Sequence, residues 1–256
     1  MNRFLQQGLI GTLALGVSSA AFATLIATFT AGGTSPVSGH TLGATATFDL
    51  TGTTLTIVLT NTAAMPATAV PSDTLTGLYF NSTGLSPGTA IGETIIGCDA
   101  TCTNSGSPTN VGGEWAFEGG KNPAVMGFTS GLSSAGMGVF GDFNFPSSSN
   151  LQGPIALDGP QFGIVPDGTY NPNTGLSGLG QVQNSVTFTL TGAANFTVDA
   201  ARFQWGTALN EGSSTSGISS TSGISTSSGG VPEPATLALL GLGLAGLGFA
   251  RRKRLS

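Results

Sequence analysis

Thr45-Ala-Thr-Phe-Asp-Leu-Thr-Gly-Thr-Thr-Leu-Thr-Ile-Val-Leu-Thr60 is the stretch on which the fold turns. Leu55, Ile57 and Leu59 alternate with Thr54, Thr56 and Thr60, with Val58 as the exception, so one face can pack on a core while the other stays in water. The turn-prone Thr51-Gly52-Thr53 separates this run from Thr45–Leu50, and the whole reads as a β-hairpin.

Outward from the hairpin the extended pattern recurs. Strands are expected over 25–30, 74–80, 114–117, 138–143, 161–165, 185–190 and 196–205. Val186, Phe188 and Leu190 again stand at period two, and the link Thr191-Gly-Ala-Ala-Asn195 to Phe196 suggests a second hairpin. Residues 130–137 have room for one short helical turn. Loops rich in Pro and Gly are expected at 81–113 and 144–160, where binding usually sits on such a scaffold. Many short strands broken by Gly, Pro, Asn and Ser predict a mostly β domain, an antiparallel β-sandwich of jelly-roll-like kind, over residues 24–211.

The ends of the chain are different. Residues 1–23 hold Arg3, an apolar run from Leu9 to Val17 and the small-x-small site Ala21-Phe22-Ala23, the parts of a secretory signal, so the mature chain is expected to begin after cleavage between Ala23 and Thr24. Residues 212–230 are Ser, Thr and Gly with a repeated Ser-Thr-Ser-Gly-Ile; with so little to bury they read as a flexible linker. Then come Val231-Pro232-Glu233-Pro234, an apolar run over 235–250, and Arg251-Arg252-Lys253-Arg254. At about 1.5 Å per residue that run gives a helix of roughly 24 Å, able to span a bilayer if the flanking arginines snorkel. The basic cluster is a cytoplasmic stop, which puts everything before Val231 outside the cytoplasm.

The Pro-Glu-Pro tripeptide, the Gly/Leu/Ala-rich helix and the basic end, in that order at the C-terminus, resemble the PEP-CTERM sorting signal. The resemblance covers only the last tenth of the chain. It implies recognition by an exosortase, an integral-membrane cysteine transpeptidase that cuts near Pro-Glu-Pro, and transit of an inner-membrane-anchored precursor of a Gram-negative bacterium to the cell surface or extracellular matrix. It also implies a structural role in exopolysaccharide, biofilm or floc, and the opening hairpin looks like a segment recurrent among such proteins.

Charge narrows the partners. Only 7% of residues are charged against a typical quarter. Between the signal and the tail stand Lys121 and Arg202 against eleven carboxylates, a net charge of 2 − 11 = −9. Nucleic acid needs clusters of Lys and Arg and is excluded as a partner.

Few residues point to chemistry. Cys98 and Cys102 are the only cysteines; two thiols are too few for a structural zinc site, and outside the cytoplasm they are expected to join in a local disulfide. His40 is the only histidine, which rules out a His-bridged pair of metal ligands, argues against a Ser-His-Asp site, and leaves it a loop residue with no assigned task. Glu114 and Glu118 would project from one strand face, but nothing places two carboxylates across a cleft as a glycoside hydrolase needs. The chain is therefore read as a non-enzyme. No cofactor or resident metal is assigned; Asp142, Asp158 and Asp167, in Gly- or Asn-rich turns, are weak calcium candidates. The alternative reading is a carbohydrate-binding adhesin whose exposed aromatics are Trp115 and Tyr170, with Trp205 in the core.

Overall fold

The computed structural model describes residues 23–98, 109–120, 127–135, 150–152, 159–208 and 211–217. The signal segment 1–22, the tail from 218 onward, Cys102, Lys121, Asp142, Asp158 and the strand expected at 138–143 lie outside the described residues.

The hairpin is present as read: β2 (Thr41–Thr51) and β3 (Thr54–Asn61) pair antiparallel from Ala44↔Asn61 to Thr51↔Thr54. Leu42, Ala44, Ala46 and Phe48 of β2 and Leu55, Ile57 and Leu59 of β3 are buried, while the threonines between them are not. Val58, the exception to the alternation, stands on the threonine face opposite Thr47 and Thr187. On the outer side of β2 lies β1 (Thr24–Thr34).

Further along the chain come β4 (Leu75–Phe80), β5 (Ser86–Ile96), β6 (Thr109–Asn110), β7 (Ala116–Glu118), β8 (Ser130–Ser133), β9 (Ile164–Val165), β10 (Gln181–Thr191), β11 (Ala200–Trp205) and β12 (Ser213–Gly217). The twelve strands form one sheet along the order β1-β2-β3-β10-β9-β4-β11-β12, with β5 and β6 attached beside β10 and β8 and β7 beside β4. The sheet is mixed rather than purely antiparallel as expected, because the two-residue β9 runs parallel to β10. Among the described residues the only helical element is a 3-10 turn, Pro71–Asp73, and no helix is long and apolar enough to cross a membrane; the span expected at 235–250 lies outside them.

The core is aromatic at its centre. Phe48 meets Phe29, Phe80 and Phe196, with ring centroids 5.7, 5.4 and 6.0 Å apart, and Trp115 meets Phe188 at 5.0 Å. The Phe48 ring of β2 thus touches rings from β1, β4 and the 192–199 loop, so packing joins strands distant in the sheet order. Buried Asn61 adds a polar tie, donating from Nδ2 to the carbonyls of Asp73 and Ile164 at 3.2 and 2.9 Å.

Several expectations are corrected. The loop read at 81–113 contains β5, an eleven-residue strand along β10. The helical turn considered at 130–137 begins instead as strand β8, held by β4 and β7. The second hairpin does not form: both edges of β10 are taken, by β3 and β5, and β11 pairs with β4 and β12. Phe196 and Val198 are buried from a loop. Ser213–Gly217, read as linker, form β12 on β11, anchored by Arg202 Nη2 donating to Ser213 Oγ at 2.8 Å, and the compact unit ends at Gly217 rather than 211.

Candidate functional site

The aromatics read as sugar contacts do not form a binding rim. Trp115 is 0% exposed, its indole N–H donating to the Phe162 carbonyl at 3.0 Å. The Gly-rich surroundings that suggested exposure are turns folded over it; the loop at 150–152 closes back, with Leu151 N bonded to the Trp115 carbonyl. Tyr170 is half-buried, its ring against the α-carbon of Gly97. Trp205 is buried as expected.

The chain has two tyrosines. Burial pushes the Tyr170 phenol up to about 12. It also pushes Tyr79 well above its usual range, more than the Ser133 hydrogen bond and the Arg202 charge lower it. Both folded-state values lie above the ordinary value near 10, so across about pH 10 to 12 the folded chain keeps protons that the unfolded chain has released, and stability falls as pH rises through that window. The expected result of an alkaline titration is a tyrosinate absorbance that stays flat past pH 10 and rises only with the loss of near-ultraviolet circular dichroism. A band titrating near 10 in a still-folded chain would contradict this burial.

The carboxylates are scattered. Glu114, 4% exposed, sits in a turn before β7, and Glu118 ends that strand, so the common strand face expected for them is absent. Asp167 accepts a hydrogen bond from Gly168 N at 2.9 Å on an exposed turn. Among the described residues no three His, Cys, Asp or Glu side chains gather as metal ligands would. Among the described residues no cysteine is free, and Cys102 lies outside them.

The polar constellation that does assemble was missed from sequence, and it is built around His40. The connection from β1 to β2, Ser35-Pro-Val-Ser-Gly-His40, is a tight loop closed by Ser35 N to the His40 carbonyl at 2.8 Å and by Gly39 N to the Ser35 carbonyl at 2.9 Å. Gly39 has φ +74°, the left-handed region that glycine enters at little cost. Ser35 Oγ accepts from the amides of Val37 and Ser38 and donates to the Glu211 carbonyl.

Opposite the loop, Pro71 opens the 3-10 turn that carries Ser72 and Asp73. The buried Asp73 carboxylate takes three donors: Ser38 Oγ at 2.6 Å on Oδ1, and His40 Nδ1 at 2.7 Å and Val70 N at 3.3 Å on Oδ2. A carboxylate only accepts, so Nδ1 carries the hydrogen and Nε2 of the neutral ring is an acceptor. Ser38 gives its proton to the aspartate and not to the imidazole, so these three side chains are not a nucleophilic relay.

Beside them opens a cavity of about 340 Å³, lined by His40, Ser72, Asn173 and Glu211 with an apolar border of Val37 and Pro71. Ser72 Oγ is buried out of contact with solvent and has no hydrogen-bond partner. Glu211 is oriented by the amides of Thr207 and Ala208, both bonded to Oε2. A second cavity of about 360 Å³, where Gly32 and Gly33 approach Ser213 over Trp205 and Leu42, has no ionisable side chain in its lining.

Nothing in the sequence pairs residues 38–40 with 70–73; the approach depends on β3 ending at Asn61 beside the turn.

Comparison with known proteins finds the PEP-CTERM protein-sorting motif at residues 230–254. No curated protein and no solved structure matches the chain. The motif implies an exported, membrane-anchored precursor that an exosortase processes.

Proposed function

We propose that this chain is a non-enzymatic structural protein of the bacterial surface or extracellular matrix, delivered by its tail and associated with exopolysaccharide. The observation that carries the reading is the sorting motif at 230–254. Val231, Pro232, Glu233 and Pro234 mark the region that the exosortase cuts, the 235–250 segment holds the precursor in the inner membrane, and Arg251, Arg252, Lys253 and Arg254 stop transfer on the cytoplasmic side.

With β12 part of the domain, residues 218–230 are what is left of the segment read from sequence as a linker. Within the domain, the ring contacts between β2 and β4 support a sheet doubled on itself as a β-sandwich. Cys98 closes its disulfide on Cys102, a small loop for which the chain-entropy model assigns roughly 2 kcal/mol.

Mass spectrometry of protein recovered from the cell surface tests the proposal. The expected C-terminus lies near Pro232–Pro234; a terminus still ending in Arg-Arg-Lys-Arg-Leu-Ser256 would leave a plain membrane anchor in place of a sorting signal. The second reading, a carbohydrate-binding adhesin, is favoured by one observation, the open cavity beside His40.

A further inference from the structure

We infer that the cavity beside His40 is a recognition site for hydroxyl groups, and that its ligand is a neutral sugar unit of a glycan. Asp73 holds Nδ1 as the protonated nitrogen, and the His40 side chain is 35% exposed. In the neutral ring this tautomer presents Nε2 as an acceptor, which calls for an O–H or N–H donor on the ligand. Ser72, in the same wall, has a buried Oγ without a hydrogen-bond partner, a donor and acceptor that a second hydroxyl reaches once the side chain turns toward the cavity. A buried hydroxyl left unbonded costs stability, and a bound polar ligand recovers it.

The border of Val37 and Pro71 gives the C–H face of a sugar ring an apolar surface. Size agrees: about 340 Å³ lies at the small end of the range for ligand pockets. Charge separates neutral from acidic sugars. Glu211 and Asp73 stand in or behind the wall, the protein between signal and tail carries 2 − 11 = −9, and among the described residues neither Lys nor Arg lines the cavity, so uronates and sulfated sugars are repelled. A transition metal would find His40 but no second histidine. That the hydroxyls come from a glycan rests on the matrix reading above; the acceptor at Nε2 does not.

The single histidine makes a direct test practicable, because the untagged mature chain gives one imidazole spin system. Long-range ¹H–¹⁵N correlation of ¹⁵N-labelled protein is expected to show the Nδ1–H tautomer. Titration with neutral gluco-, galacto- and manno-configured oligosaccharides at millimolar concentration is expected to move Nε2 and leave Nδ1 in place. His40→Asn keeps a donor for Asp73 while deleting Nε2, and should weaken binding of the responding oligosaccharide about five- to tenfold, the worth of one hydrogen bond, with the melting temperature little changed. Ser72→Ala breaks no hydrogen bond of the free protein and should also weaken binding, which keeps the test decisive if His40→Asn folds poorly. An Nε2–H tautomer, no response to any neutral sugar, or a response to uronate oligomers or Zn²⁺ alone would overturn the inference. None of these outcomes bears on the C-terminal processing measured above, so the two readings fail separately.

Discussion

Trp115→Ala is expected to destabilise the domain by about 3–5 kcal/mol, the range for deleting a large buried aromatic side chain. The indole is fully buried, meets Phe188 edge-on at 5.0 Å and donates to the Phe162 carbonyl at 3.0 Å. Deleting it opens a cavity against β10 and also leaves that carbonyl without its donor, a loss on the order of 1 kcal/mol. Against a total stability of about 5–15 kcal/mol the loss is a large share. Urea denaturation followed by the fluorescence of Trp205, the chain's other tryptophan, would measure it. Trp115→Phe keeps most of the volume and should lose about 1–2 kcal/mol. A change below about 1 kcal/mol for the alanine variant would place the indole at the surface and revive it as a sugar contact. For the same reason, loss of glycan binding in Trp115→Ala says nothing about a binding site unless the variant is shown to be folded.

The strands most legible in the sequence are those with one wet face. β2, β3 and the 186–191 part of β10 place aliphatic or aromatic side chains between threonines, and the buried residues there fall where period two puts them. β5 was hidden by its composition: Ser-Pro-Gly-Thr-Ala-Ile-Gly-Glu-Thr-Ile-Ile reads as a loop because Pro87, Gly88 and Gly92 interrupt the pattern. The structure gives Gly88 a reason. A Cβ there would stand 2.3 Å from the Thr189 carbonyl oxygen, so the close approach of β5 to β10, next to an irregularity in the ladder, requires glycine. β4 escapes the alternation for the opposite reason, since all six of its residues are buried and period two leaves no trace when both faces are covered. β12 is neither apolar nor alternating; its Ser and Thr residues form a strand because β11 offers an open edge, a tertiary effect that composition cannot report.

The tail was legible because its three parts are contiguous in sequence. The His40 cavity was not, because its members come from four separated segments, and the histidine that seemed to lack a task is held by an aspartate 33 positions away. A lone histidine cannot supply a His pair to a metal, but one whose tautomer is fixed by a carboxylate needs no second histidine.

Asp73→Ala should then be the most damaging polar substitution in the domain, with an expected loss of about 3 kcal/mol. The carboxylate is buried and receives Ser38 Oγ, His40 Nδ1 and the Val70 amide, and each hydrogen bond to a charged group contributes roughly 1.5–3 kcal/mol before the cost of burying the charge is subtracted. Alanine leaves three donors unmet around the turn that fastens the β1–β2 loop to the end of β3. Asp73→Asn retains one acceptor oxygen but turns an amide donor toward either Ser38 or His40, and should lose about half as much. The backbone ties of residue 73, its amide to the Val70 carbonyl and its carbonyl to Asn61 Nδ2, survive both changes, so the damage should stay local. Hydrogen exchange can see this: in the alanine variant the Gly39 amide should lose protection while the β3–β10 ladder keeps it. Unchanged protection at Gly39, together with a melting temperature within a degree or two of wild type, would mean that the Asp73 clamp does not hold the loop in solution, and the fixed tautomer of His40 would lose its cause.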